Sequence, residues 1–329
     1  MNKRRKNRSL WLFNIGVLII LLPQMRIFYQ ELKIESNLVA YQNSVETVLK
    51  QEEFFVTNEP VTISSSKQEP SALIQSFDYS DPFINEVAPD YLSVPEVYIQ
   101  EEMIGYIDIP KIGERLPIYY GATNEHLAKG IATVSGTSFP LGGESTHAVL
   151  SGHRGYAGAN YFRHIDLLLP GDRFTVTMLK NVLTYEVVGT EIGSPDDPSP
   201  LEIKKGEDWL TLLSCHPYRI NNQRIFVHAK RVLANETAIY TARKNLIVSA
   251  TASYSGLFQK EDAAVKQSVH FNKETIVKTF LKFTDPSIEL KVRLQLVVNR
   301  VINVVGVAAL LFTTFLIIRN GFYNKYRVK

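Results

Sequence analysis

The sequence predicts a mainly β fold, a barrel or a sandwich, placed between two apolar segments near the ends of the chain. Between residues 102 and 233, short apolar runs alternate with turns rich in glycine and proline. This pattern is typical of strands in all-β barrels and sandwiches. Strands are predicted at residues 104–109, 116–119, 147–150, 173–179, 184–188, 209–214 and 224–230. Short helices are predicted at residues 125–129 and 161–168.

Charge is distributed unevenly along the 329 residues. The net charge is only +3, so the chain as a whole does not have the charge of a nucleic-acid binder. Basic residues gather at the two tips, next to the two apolar segments. We therefore expect a membrane rather than a nucleic acid among the partners.

The first apolar segment, residues 10–22, follows a basic start, which is the pattern of an export signal. It is shorter than the roughly 20 residues that span a bilayer. No small-residue cleavage site follows it, because Val39, Ala40 and Tyr41 match such a site poorly. We interpret it as an uncleaved signal anchor, with a cleaved signal peptide as the alternative.

The second apolar segment, residues 301–318, has no charged residue and is flanked by Arg300 and Arg319. It is long enough to span a membrane, and a buried core helix is the alternative. Basic residues at both tips place both termini on the cytoplasmic side by the positive-inside tendency. The residues between the spans would then lie outside the cell membrane.

The sequence divides into seven segments on these grounds. In order they are a basic tip with the anchor (1–27), a helical stalk and flexible linker (28–75), a short segment before the β domain (76–101), the β domain (102–233), an extension of unknown role (234–299), the second span (300–319) and a basic tail (320–329). Within the extension, residues 235–249 and 260–281 have helix-compatible composition. Residues 288–298 fit either a strand or an amphipathic helix.

Cys215 is the only cysteine, so it cannot form a disulfide within the chain. It is either an inert buried thiol or a reactive one. It ends an apolar strand that Pro217 terminates, and strand ends hold reactive groups rigidly. A thiol is mostly protonated at neutral pH, so a reactive Cys215 needs a base or a cation nearby.

His153 and Arg224 are the candidates for those two roles. His153 follows a predicted strand and lies in a glycine-bracketed turn, whereas His216 points to the opposite face from Cys215. Arg224 begins the strand after Cys215, and a hairpin-like pair would bring the two side by side. A structural histidine and a surface arginine are the alternatives. One cysteine with scattered histidines lacks zinc-site spacing, so we expect no metal and no cofactor.

Together these motifs resemble the sortase family over residues 102–233. The resemblance rests on Ser-Gly-His153-Arg-Gly, on Leu-Thr-Leu-Leu-Ser-Cys215 and on Arg224 nine residues later. The stretches Ile104-Gly-Tyr-Ile-Asp-Ile-Pro110 and Leu116-Pro-Ile-Tyr-Tyr-Gly121 are similar to the opening strands of sortases.

The resemblance implies a closed eight-stranded sortase β-barrel in a Gram-positive type of cell envelope. It implies a cysteine transpeptidase that cuts a Leu-Pro-x-Thr-Gly-like sorting signal after threonine and passes the thioacyl product to an amine. Cys215 would be the nucleophile, His153 the acid and base, and Arg224 the stabiliser of the tetrahedral intermediate.

Asp81, Pro82 and Phe83 resemble the lid of class C sortases, which build pili and take their amine from a pilin lysine. Asp81 would pair with Arg224 while Phe83 covers the thiol; an ordinary Asp-Pro turn is the alternative. A second anchor also fits that class. His216, Arg219 and Ser214 depart from its usual pattern. We call residues 81–83 the lid segment.

Two other functions remain open at this stage. One is a sortase that attaches single surface proteins to a peptidoglycan precursor. The other is a membrane-anchored scaffold whose β domain binds a partner without catalysis. The sequence identifies no residue that would bind the sorting signal.

Overall fold

The computed structural model describes residues 3–56, 81–84, 103–156, 159–178, 181–232 and 273–325. Eight strands close into a barrel, with neighbours in the order β1-β2-β3-β4-β7-β8-β6-β5. The strands are β1 (Met103–Ile109), β2 (Glu114–Tyr119), β3 (Ile131–Thr133), β4 (Thr146–Ser151), β5 (Arg173–Met178), β6 (Asn181–Gly193), β7 (Asp208–His216) and β8 (Gln223–Arg231). The predicted closed eight-stranded barrel is therefore confirmed.

The part of the chain that the structure describes also contains four α-helices. They are α1 (Lys3–Val56), α2 (Asn124–Lys129), α3 (Lys273–Leu281) and α4 (Leu290–Lys325). The short helix α2 begins at Thr123, whose side chain accepts a hydrogen bond from the backbone N–H of His126, as an N-cap residue does. Short 3₁₀ helices lie at Pro110–Ile112, Ile165–Leu167, Ser199–Leu201 and Lys282–Thr284.

The barrel interior is filled by alternate side chains of its strands. On β7, Leu210 and Leu212 are fully buried in the main core together with Phe174 and Tyr185 from β5 and β6. Side chains alternate between the two faces of a strand, so the neighbours of Leu212 on β7 point to the outer face. The outer face of β7 is where Cys215 lies.

Two different pairings fix the position of β7. It runs parallel to β4, with Ser151 opposite Leu213. It runs antiparallel to β8, with Cys215 opposite Arg224. The ends of these three strands therefore meet at one edge of the barrel.

The predicted strands are all present, with bounds that differ by a few residues, but β3 was missed because three residues are too short to show a period. The helix predicted at residues 161–168 is wrong as drawn, since only Ile165–Leu167 is helical, as a 3₁₀ turn. For residues 288–298 the strand alternative is wrong, because α4 begins at Leu290.

Several predicted segments fall partly or wholly outside the described residues. Of the predicted stalk and linker (28–75), residues 28–56 belong to α1, and residues 57–75 lie outside the described residues. Of the segment 76–101, residues 81–84 are described. Residues 235–249 and the first part of 260–281 also lie outside, whereas the helix predicted to end at Leu281 is confirmed from Lys273 onward.

Two described helical stretches, Arg8–Val45 and Leu290–Arg319, are long and apolar enough to cross a membrane. They lie against each other along their length. Leu21 is buried where it meets Gly306, and the hydroxyl of Thr313 donates to the side-chain oxygen of Asn14. Small residues and polar side chains at such contacts are typical of paired membrane helices.

The polypeptide between α3 and α4 attaches these helices to the barrel. Ile288 is 3% exposed and packs directly against Gly113. A side chain at position 113 would collide with it, because a β-carbon there would lie 2.5 Å from Cδ1 of Ile288. The backbone N–H of Glu289 donates to the carbonyl of Lys111 at 2.7 Å. Lys282 approaches the buried Glu114 at 3.7 Å, and burial raises the pKa of Glu114 to about 7. Residues 282–289 of the extension thus connect the barrel to the two apolar helices through direct contacts.

The contact at Gly306 can be tested against a matched glycine. A β-carbon on Gly306 would collide with Leu21, whereas one on Gly16 meets no atom within 4 Å. We expect Gly306→Leu to reduce oxidative cross-linking between cysteines at positions 14 and 313 severalfold, in a Cys215→Ala background. Gly16→Leu should leave the cross-linking yield unchanged, and equal yields in both variants would contradict the helix pairing.

Candidate active site

Cys215 lies near the end of β7 on the outer face of the barrel. Leu213 and Cys215 share that face, while Leu212 points into the core and the hydroxyl of Ser214 donates to the carbonyl of Gly152 at 2.7 Å. Cys215 is a free thiol and is only 8% exposed. The strand therefore holds the sulfur rigidly and mostly out of water.

Arg224 lies directly across from Cys215 on β8. Directly opposed residues of antiparallel strands have neighbouring side chains on the same face. The guanidinium is oriented by the preceding turn, because Nη1 donates to the carbonyls of Asn221 at 3.0 Å and Gln223 at 2.8 Å. Its Nε and Nη2 atoms are directed away from that turn.

His153 is two residues beyond the last residue of β4. Ser151 pairs with Leu213, and the N–H of Gly152 still donates to the carbonyl of Leu213 at 3.1 Å. Continuing that parallel register by two residues brings His153 level with Cys215. The imidazole stacks on Tyr156 with ring centroids 4.7 Å apart.

The lid segment contacts both Arg224 and His153. Asp81 is 4% exposed and accepts from Nε of Arg224 at 2.6 Å and from Nη2 at 3.0 Å. The same carboxylate accepts from the backbone N–H of Phe83 at 2.9 Å, which tightens the Asp81-Pro82-Phe83 turn. The ring of Phe83 lies 5.6 Å from that of His153 and 5.3 Å from the guanidinium of Arg224.

Phe83 also covers an apolar patch next to Cys215 on the outer face of the barrel. Five buried side chains form this patch, namely Val134, Val149, Leu201, Leu213 and Phe226. Leu201 comes from the connection between β6 and β7, which folds over the strands. The patch has the character of a small binding surface for an apolar side chain.

Burial keeps the thiol and the imidazole in their neutral forms. It raises the pKa of Cys215, and the charge of Asp81 raises it further, while Arg224 and Arg154 act in the opposite direction. Burial likewise lowers the pKa of His153. With Asp81 on Arg224, the site therefore favours an uncharged thiol beside an uncharged imidazole.

The predicted residues thus meet at one place, where the ends of β4, β7 and β8 converge beneath the lid segment. Arg154 is a further member of the site; it stands in the His153 motif, but the sequence alone assigns it no role. In the structure it is 6% exposed and contacts the carbonyl of Cys215. No signal in the sequence pairs Arg154 with its partners Asp166 and His216, because they lie 12 and 62 residues away along the chain.

Comparison with known proteins identifies relatives of the barrel domain. Residues 107–232 match the sequence model of the Sortase domain. Sortase D of Bacillus subtilis is 33% identical over 131 residues, which cover 39% of this chain and 63% of that protein. Sortase A of Bacillus anthracis is 29% identical over 140 residues, 42% of this chain and 65% of that protein. The chain therefore matches somewhat less than two thirds of the length of these curated relatives.

Solved structures of sortases are also similar in sequence. The Group B Streptococcus Pilus Island 1 sortase C2 is 39% identical, with 47% of this chain and 86% of that chain covered and a TM-score of 0.44. Sortase C-1 from Actinomyces oris is 35% identical, with 49% and 92% covered and a TM-score of 0.46. From the domain match and the sequence identity over most of these chains, we conclude that this protein belongs to the sortase family.

Proposed function

We propose that the protein is a membrane-anchored cysteine transpeptidase that cleaves a Leu-Pro-x-Thr-Gly-like sorting signal. The observation that carries the proposal is the position of Cys215 directly opposite Arg224, at the level that His153 reaches two residues beyond the end of β4. A thiol, a base and a fixed cation are the three groups that acyl transfer through a thioester requires.

Acylation would begin with transfer of the thiol proton to His153 as the thiolate attacks the threonine carbonyl. Arg224 would stabilise the negative oxygen of the tetrahedral intermediate through Nε and Nη2, the two nitrogens that Asp81 contacts in this structure. When the carbon–nitrogen bond breaks, His153 returns the proton to the leaving amine. The product is a thioester on Cys215.

Deacylation would use the same groups in reverse. An incoming amine gives its proton to His153, attacks the thioester and forms a new amide bond, and the sulfur leaves as the thiolate. The thiolate recovers the proton from His153, which restores the neutral pair. The apolar patch around Leu213 and Phe226 would receive the leucine of the sorting signal once Phe83 has moved.

The lid segment would keep the empty enzyme inactive. Asp81 is a carboxylate bound where the oxyanion of the intermediate would lie, and Phe83 occupies the apolar patch. Substrate must therefore displace both contacts before Arg224 can act, as expected of a lid that gates access.

A role in pilus assembly is the finer proposal. It is supported by the Asp81-Pro82-Phe83 segment, by the second anchor and by relatives described as pilus sortases. The acceptor would then be a pilin lysine, and the alternative acceptor is a peptidoglycan precursor. Loss of product ladders when that lysine is removed from the pilin separates the two roles.

The two helices would hold the domain at the outer surface of the cell membrane with both termini in the cytoplasm. Arg8 and Arg319 mark the described ends of the apolar stretches, and further basic residues follow in the sequence at each tip. Substrates and acceptors carried to the outer surface would meet the barrel there.

Substitution of Cys215, His153 or Arg224 should reduce transpeptidation to different extents, as measured with a fluorogenic sorting peptide and an amine acceptor. Cys215→Ala should abolish the thioacyl product seen by mass spectrometry. His153→Ala should lower kcat by about 10²–10⁴-fold, since that is the usual contribution of an acid–base group. Arg224→Ala should lower kcat by roughly 10²–10³-fold. A Cys215→Ala variant that still transfers peptide would exclude the mechanism.

The lid can be tested by alkylation of Cys215 as a function of pH, because only the thiolate reacts. In the parent chain the rate should rise with a midpoint above that of a free thiol, since the pKa of Cys215 is raised. Asp81→Asn removes a charge that raises it, so the curve should move to lower pH. The rate at neutral pH should rise roughly tenfold.

Phe83→Ala should also speed alkylation, by uncovering the thiol. Asp196→Asn is the matched control, because Asp196 is an exposed carboxylate on the connection between β6 and β7. If both lid variants react at the parent rate, the segment does not guard the thiol.

A further inference from the structure

Arg154 is a buried charge that the proposed mechanism does not use. It directly follows His153 and is 6% exposed, with its side chain directed toward the last two residues of β7. Its Nη1 lies 3.5 Å from the carbonyl of Cys215 and 2.9 Å from Nδ1 of His216. A buried guanidinium is costly unless it is paired, so these contacts require an explanation.

Two further contacts hold the other side of the guanidinium. Nη2 lies 2.9 Å from a carboxylate oxygen of Asp166, and Nε donates to the carbonyl of Arg163 at 3.3 Å. Both partners come from the segment that follows the turn at His153. Arg154 therefore links the segment after β4 to the strand end that carries the nucleophile.

The contact with His216 also fixes a protonation state. Arginine has only donors, so Nδ1 of His216 must accept and its proton must lie on Nε2. Burial lowers the pKa of His216, and the neighbouring charge of Arg154 lowers it further. His216 is thus kept neutral and in one orientation beside Cys215.

We propose that Arg154 is a positioning residue for transpeptidation, which holds the backbone of Cys215 and the ring of His216 in register with His153 and keeps a permanent positive charge near the thiol. This inference rests on the proposed function, since it concerns the same nucleophile. It assigns Arg154 no contact with the substrate.

The charge matters because Asp81 offsets part of the effect that Arg224 has on the pKa of Cys215 in the closed site. The charged and titratable groups around Cys215 are Arg224 on β8, Asp81 in the lid segment, His153 and Arg154 after β4, and His216 on β7. Arg224 shares both of its site-facing nitrogens with Asp81. Arg154 is paired with Asp166, but that carboxylate is 39% exposed and lies on the other side of the guanidinium from Cys215. The charge of Arg154 therefore still lowers the pKa of Cys215 and favours the thiolate.

The test compares three variants of the full chain in detergent. Arg154→Gln removes both the charge and the planar set of guanidinium donors, whereas Arg154→Lys keeps only the charge. Arg163→Gln is the control. The side chain of Arg163 stacks on Tyr218 at 4.8 Å, and only its backbone carbonyl contacts Arg154. Each variant is alkylated across pH and assayed with a fluorogenic Leu-Pro-Glu-Thr-Gly peptide and a glycine acceptor.

Arg154→Gln should move the alkylation curve to higher pH and slow alkylation at neutral pH by roughly fivefold to tenfold. It should lower kcat and leave KM almost unchanged. Arg154→Lys should restore the alkylation curve but only part of kcat, because lysine lacks the planar fork. Arg163→Gln should match the parent chain in both assays.

Faster alkylation of Cys215 in Arg154→Gln, with no shift of the curve to higher pH, would overturn the inference. A purely structural arginine would loosen the site when removed, which speeds alkylation and leaves its midpoint in place. If Arg154→Gln does not fold, the Arg154→Lys variant provides the test. A kcat of Arg154→Lys equal to that of the parent chain would refute the positioning role. Alkylation needs no substrate, so an inactive parent chain would count against the proposed function and not against this inference.

Discussion

The pairing of β7 with two different neighbours is the constraint on which the site depends. Its parallel register with β4 sets the level of His153, and its antiparallel register with β8 sets Arg224 beside Cys215. A shift of one residue would turn Cys215 toward the core and expose Leu212 instead. The fully buried interior residues of β7 make that shift costly, so the hydrophobic core of the barrel fixes the geometry of the candidate site.

A balance of charges then determines whether the thiol can react. Burial favours the neutral forms of Cys215 and His153. Asp81 forms an ion pair with Arg224, the cation directly opposite Cys215. In the proposed mechanism, a substrate carbonyl would replace Asp81 and so free Arg224 at the moment when negative charge develops. We propose that the lid segment couples ionisation of the thiol to the arrival of substrate. Arg154 would keep the two strand ends aligned both with and without substrate.

Much of this could be predicted from sequence, for physical reasons that differ among residues. The strands were visible because their apolar runs are long enough to show alternation, whereas β3, with three residues, was not. His153, Cys215 and Arg224 stand in local motifs, and the Asp81–Arg224 pair was inferred from a resemblance. The partners of Arg154 and the attachment of residues 282–289 to the barrel depend on distant contacts, for which one sequence holds no pattern.

The most direct test is a crystal structure of the chain with a sorting-signal mimic joined to Cys215 through a disulfide. The account predicts that Asp81 has left Arg224 and that Nε and Nη2 lie about 2.7–3.1 Å from the oxygen of the threonine carbonyl or its surrogate. It also predicts His153 facing the leaving-group side. A peptide bound to Cys215 with the Asp81–Arg224 pair intact, and its carbonyl directed elsewhere, would contradict the account.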